Sequence, residues 1–201
     1  QSIKSHLEGF LPVRAMELSE EERDYVNSLF LLTSKPVIYA ANISEDDAAD
    51  PFSSPLVQEL AAIAEAEKAQ LITVCSKMEE EMSSLDEEEK KAFLAEFGIE
   101  EAGLSQLITA GYRTLGLISF LTAGPKEVRA WPIKSGTKAP GAAGKIHSDF
   151  ERGFIRAEIV AYDDLMACGT YNAAKEKGLV RSEGKEYIMK DGDVTLFRFN
   201  V

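Results

Sequence analysis

Residues 35–47, KPVIYAANISEDD, open on Lys35-Pro36, pass through a β-rich apolar run and end in a polar, acidic tail. So continuous an apolar run predicts a strand buried on both faces, as in a parallel sheet. Downstream, PLVQELAAIAEAEK (55–68) puts Pro55 at a first helical position and is rich in Ala, Leu and Glu, which predicts a helix. AQLITVCS (69–76) predicts a second buried strand. Strand, helix and strand in this order make a βαβ unit, whose crossover is right-handed in nearly all cases. Both strands then point their carboxyl ends to one edge. Asn42-Ile43-Ser44-Glu45 and Cys75-Ser76-Lys77 follow those ends and should lie side by side, where doubly wound sheets hold ligands.

Outward from this core, residues 17–32 pair Ser19 with Glu22, a capping-box signature. They then place Tyr25, Val26, Leu29 and Phe30 at helical spacing, which predicts an amphipathic helix. DEEEKKAFLAEFG (86–98) predicts a helix with an acidic first turn and Gly98 as its stop. The acidic runs near Glu20 and Glu87 read as solvated helix starts. SQLITAGYRTLGLISF (105–120) predicts a further apolar helix. After Thr122-Ala123-Gly124-Pro125 the texture changes to short strands: EVRAWPI (127–133), FIRAEIVAY (154–162), EYIM (186–189) and VTLFRFNV (194–201). Lys190-Asp191-Gly192-Asp193 predicts a hairpin turn between the last two. Short helices fit GAAGKI, DDLMACG and NAAKEKG, giving an α+β module of the β-grasp kind with a boundary near 120–126.

The chain has 201 residues, 45% hydrophobic and 28% charged, enough for one large or two small cores. Its apolar runs are too short to span a bilayer, and the segment from Gln1 to Leu11 lacks the pattern of a secretory signal, so no membrane partner and a cytoplasmic setting are expected. Cys75 and Cys168 lie far apart without a Cys/His cluster, which gives neither a disulfide framework nor a zinc site. Residues 1–125 hold 9 Lys/Arg against 23 Asp/Glu and 126–201 hold 13 against 11, so the parts carry −14 and +2. An acidic body repels polyphosphate, so any nucleic-acid surface belongs to the second part.

KPVIYAANISEDD resembles the base-specificity segment of the YchF branch of the Obg-related P-loop proteins, where Asn-Met-x-Glu replaces the Asn-Lys-x-Asp of GTPases. Asn42, Ile43 and Glu45 match it, with Ile for Met as an apolar departure that still packs against a base. Guanine offers a carboxylate two adjacent N–H donors, whereas adenine offers one amino donor beside the acceptor N1, so the replacement implies ATP rather than GTP. The second loop resembles the Ser-Ala-Lys segment that lies under the base and binds mainly through its backbone. Cys75 and Ser76 depart from that pattern and Lys77 agrees. An isolated Asn-x-x-Glu is more often a turn cap, but the similarity runs on through GYRTLGLISFLTAGPKEVRAW and IHSDFERGFIRAEIVAYDDL to FRFNV, over essentially all of residues 30–201.

The resemblance implies three parts. Residues 1–32 would be the end of a helical insert, 33–117 the carboxy-terminal half of a P-loop nucleotide domain, and 118–201 a TGS domain, a β-grasp module that often contacts RNA or ribosomes. The fold class is therefore α/β, the end of a P-loop parallel sheet, plus a β-grasp α+β domain. Such a half sheet should expose an apolar edge and risk association. No G-x-x-x-x-G-K-[ST] occurs in these residues, and neither His6 nor His147 fits the water-positioning histidine the family carries, so no catalytic residue is assigned and this chain alone is expected not to hydrolyse ATP. Mg²⁺ is expected only with the full-length protein. The ribosome or its RNA is the implied partner of the second part, through Lys134, Lys138, Lys145, His147, Arg152 and Arg156; DNA is not expected. Ordinary solvated charge is a nearly equal reading of that cluster, and a turn-bracing role is favoured for His147. Trp131, Phe154 and Phe197 read as core. The alternative function is a non-enzymatic RNA- or ribosome-binding module.

Overall fold

The computed structural model describes residues 2–124 and 127–200; Gln1, Pro125, Lys126 and Val201, on which parts of the sequence-based expectation fall, lie outside them. The chain divides into two compact units, Gln1–Leu115 and Gly116–Val201.

In the first unit, α1 (Ser2–Glu8) and α2 (Glu20–Ser28) precede β1 (Ile38–Asn42). α2 starts on the expected capping box: the Ser19 hydroxyl accepts from the Glu22 N–H and the Glu22 carboxylate accepts from the Ser19 N–H. It is shorter than expected, and only Val26 is buried; Tyr25, Leu29 and Phe30 stay exposed. α3 (Pro55–Ala66) connects β1 to β2 (Gln70–Val74), and the two strands pair in parallel from Ile38↔Gln70 to Asn42↔Val74. α4 (Ser76–Met82), α5 (Glu87–Glu96) and α6 (Gly103–Thr114) follow.

The strands are not buried on both faces. Of their residues only Ile72 is buried, and Ala40 is exposed. The sheet has two strands among the described residues, so no third strand covers β1, and Leu56, Ile63, Leu104 and Ile108 keep apolar surface in water. The segment before β1 is tied down by polar contacts: Glu67 Oε2 accepts from Arg14 Nε (2.9 Å), Arg14 Nη2 (2.7 Å) and the Tyr39 hydroxyl (2.9 Å). Burial alone would raise the Glu67 pKa, but the bonds from Arg14 and Tyr39 outweigh it and hold the carboxyl below its ordinary value.

The apolar helix expected over 105–120 is in fact a helix and a strand. α6 ends at Thr114, Gly116 takes φ +60°, and β3 spans Leu117–Ala123. A left-handed glycine ends a helix, and the LISFLTA that follows is β-branched and aromatic enough to pair as a strand.

The second unit adds β4 (Val128–Lys134), α7 (Ala139–Ile146), α8 (Ser148–Arg152), β5 (Phe154–Ala161), α9 (Tyr162–Cys168), α10 (Tyr171–Glu176), β6 (Arg181–Glu183) and β7 (Asp193–Phe199). The sheet order β4-β3-β7-β5-β6, with β3 and β7 parallel at its centre, is the β-grasp arrangement. Phe120, Ile133, Ala157, Ile159 and Phe197 meet Ala139, Ala142 and Ala143 of α7 in its core, with Trp131 packed against them. EYIM is not a strand. Its backbone bonds Thr137 and Ala139 instead, leaving one isolated bridge, Lys138↔Ile188. The turn at 190–193 forms, with Lys190 N–H donating to Asp193 Oδ2 at 2.9 Å, but it delivers β7 beside β3 and β5 rather than closing a hairpin. Asp193 is buried and also accepts from the Tyr187 hydroxyl at 2.9 Å; burial and that carboxylate push the Tyr187 pKa up to about 12.

Candidate functional site

Because β1 and β2 end in register, Ile43 N–H reaches the Val74 carbonyl at 2.9 Å and the two following loops are drawn together. Asn42 Oδ1 accepts from both the Ser76 N–H (3.1 Å) and the Ser76 hydroxyl (2.8 Å). Ser76 is the first residue of α4, so Asn42 satisfies one of the amide donors that a helix start leaves open. Lys77 donates to Glu45 Oε2 at 2.7 Å. That bond, and the charge behind it, raise the Lys77 pKa. Ser44 Oγ donates to Asp47 Oδ2 at 2.7 Å and fixes the first loop from below.

Ile43 and the buried Cys75 line one small cavity of about 40 Å³ with Val74 and Met78. That space is too small for a purine. The rim above it is open: Asn42 is exposed, and the Lys77 and Glu45 side chains are 65% and 35% exposed. All six residues singled out from the sequence, Asn42, Ile43, Glu45, Cys75, Ser76 and Lys77, thus meet at one sheet edge.

Two residues that sequence reasoning missed hold this edge. Glu79, in the first turn of α4, accepts the Gly103 N–H at 2.6 Å and caps α6. A Cβ at Gly103 would lie 2.8 Å from Val74 Cγ1, so α6 starts against β2 only because this position is glycine. Glu79 carries no signal in the sequence that sets it apart from Glu80 and Glu81.

The family YchF-GTPase_C, described as "Protein of unknown function (DUF933)", matches residues 117–200. The ribosome-binding ATPase YchF of Bacillus subtilis is 55% identical over 199 residues, covering 99% of this chain and 54% of that protein. The chain belongs to the YchF family. Its YchF relative from Escherichia coli O157:H7, also a ribosome-binding ATPase, is 46% identical over 195 residues, 97% of this chain and 53% of that one. The chain therefore spans about half the length of the curated relatives it matches. The Schizosaccharomyces pombe YchF GTPase superposes with a TM-score of 0.85 at 38% identity, over 98% of this chain and 52% of that one. A GTP binding protein from Pyrococcus horikoshii shares the fold, with a TM-score of 0.57 at 19% identity over 84% of this chain and 47% of that one. The names of these YchF relatives divide between ATPase and GTPase, so the base is left to the chemistry of the rim.

The basic cluster of the second unit is largely met by acid. Lys138 pairs with Glu186 at 2.6 Å, Arg152 with Asp149, and Arg156 with Glu158 at 3.0 Å. Glu158 also takes Arg198 in a bidentate pair, and those bonds, Arg198 first, lower its pKa. His147 Nδ1 accepts the Asp149 N–H at 3.2 Å and caps α8, the bracing role favoured for it. Lys134 ends β4, and Lys145 is exposed near the end of α7.

Proposed function

We propose that the rim formed by Asn42, Glu45, Ser76 and Lys77 reads the adenine of ATP in a ribosome-associated P-loop protein. One observation supports this above the others. Asn42 Oδ1 and Glu45 Oε2 are taken by Ser76 and Lys77, while Asn42 Nδ2 and Glu45 Oε1 have no protein partner among the described residues. The rim thus offers two amide hydrogens from Asn42 and one free carboxylate oxygen from Glu45. Adenine presents the complement, the acceptor N7 next to the N6 amino donor. Guanine in the same pose sets O6 against the carboxylate, acceptor against acceptor. Lys77 holds that carboxylate in place.

The β- and γ-phosphates and Mg²⁺ need a phosphate-binding loop, which these residues do not supply, so the chain's share is base recognition. The second unit is assigned as a TGS domain, and residues 1–32 as the end of a helical insert. The relatives' ribosome-binding names and the +2 balance of residues 126–201 support a ribosomal contact for it in a cytoplasmic setting. The ion pairs on Lys138, Arg152 and Arg156 leave that contact to shape and hydrogen bonding more than to bulk charge.

The test is selectivity in the complete encoded protein. Glu45→Asp draws the carboxylate back by one methylene, and Ile43→Lys restores the lysine of the GTPase pattern. Each is expected to lower the preference for ATP over GTP by about tenfold in competition binding. Unchanged selectivity in both variants would remove the base-reading assignment.

A further inference from the structure

Carboxylates outnumber Lys and Arg 23 to 9 in the first unit, so its cations have partners to spare. Lys4, Arg14, Lys77 and Lys90 each pair with one. Arg23, Lys35, Lys68, Lys91 and Arg113 do not, among the described residues, and three of these five, Arg23, Lys68 and Arg113, line one cavity of about 430 Å³ together with Arg14. Among the described residues the only carboxylate in its wall is Glu67, already bound by Arg14 and Tyr39. Cations gathered around a space repel one another, and a unit of net −14 has acid enough to avoid it.

Two further observations concern the same wall. Lys68 takes φ +55° just past the end of α3, a position glycine fills freely and an L residue only at a cost. Thr114 also belongs to the wall, with its hydroxyl oxygen turned away from solvent and without a hydrogen-bond partner among the described residues. We propose that this cavity binds a compact phosphate-bearing anion, held by Arg23, Lys68 and Arg113. Its volume is in the range of small-molecule sites, roughly 300–1,000 Å³. It sits at the amino-terminal ends of the strands, beside Val37 and Gln70. Five-residue strands put it about 16 Å from the rim at their carboxyl ends, so the two sites take separate ligands.

The probe is inorganic pyrophosphate, titrated calorimetrically into the 201-residue chain, whose sequence contains no G-x-x-x-x-G-K-[ST] loop to compete for it. Saturable one-site binding is expected, weakened about tenfold by Arg113→Gln and by Lys68→Gly. Lys68→Gly relieves the left-handed backbone, so its melting temperature should hold or rise while affinity falls; a merely structural lysine would not separate the two. A titration that does not saturate, or one that both variants leave unchanged, overturns the proposal. So does a short single-stranded RNA that binds through these residues where pyrophosphate does not, because the surface then recognises a nucleic acid.

Discussion

Gly153→Ala is expected to destabilise the carboxy-terminal unit by about 3 kcal/mol, lowering its melting temperature on the order of 10–20 °C. The glycine is not needed for its backbone angle, which is an ordinary φ of −88°. It is needed for space. A Cβ there would lie 2.2 Å from the Asn200 carbonyl oxygen and 2.8 Å from its carbon, both main-chain atoms. The same backbones are joined by Asn200 N–H donating to the Gly153 carbonyl at 2.9 Å, just where β5 and β7 begin to pair. Moving them apart disturbs Phe199, stacked on Phe150 at 3.9 Å, and the Phe154–Phe197 contact in the core. Gly144 is the control: a Cβ there meets only the Glu151 side chain, which can rotate away, so Gly144→Ala should cost much less. Thermal melts of the two variants check the argument. A Gly153→Ala protein melting within a degree or two of the unaltered one contradicts the packing described.

Asn42→Ala is expected to weaken ATP binding by the complete encoded protein about a hundredfold, while lowering stability by only about 1 kcal/mol. The large term is the loss of both base-facing donors and of the bond that holds the second loop. The small term is the loss of a helix cap at Ser76. Asn42→Asp separates them, because the aspartate still accepts from Ser76 but has no amide hydrogen to give N7. Its melting temperature should stay near that of the unaltered protein while its ATP affinity falls as far as in the alanine variant. Near-equal ATP affinity for the asparagine and aspartate proteins would place the base elsewhere.

The strand–helix–strand core was legible in residues 35–76 because each of its signals is local: an apolar run, a proline at a helix start, and a second apolar run. The capping box at Ser19 was legible for the same reason. Misreadings came where a local signal had two outcomes. SQLITAGYRTLGLISF is apolar throughout, and only the left-handed Gly116 divides its helix from its strand. EYIM and KDGD form a hairpin pattern, yet Asp193 and the backbone of 137–139 take the hydrogen bonds that a hairpin would have used. At the rim, the residue types were readable but their couplings were not. Asn42–Ser76 and Lys77–Glu45 join positions more than thirty apart in sequence, and only the parallel register brings them within reach. The Arg14–Glu67–Tyr39 cluster and the cation-lined cavity were invisible for the same reason.

The most direct measurement is a pair of dissociation constants, for ATP and for GTP, determined side by side on the complete encoded protein at one salt and Mg²⁺ concentration. Two free amide hydrogens and one free carboxylate oxygen predict ATP tighter by about tenfold or more. GTP bound as tightly as ATP, or more tightly, contradicts the account.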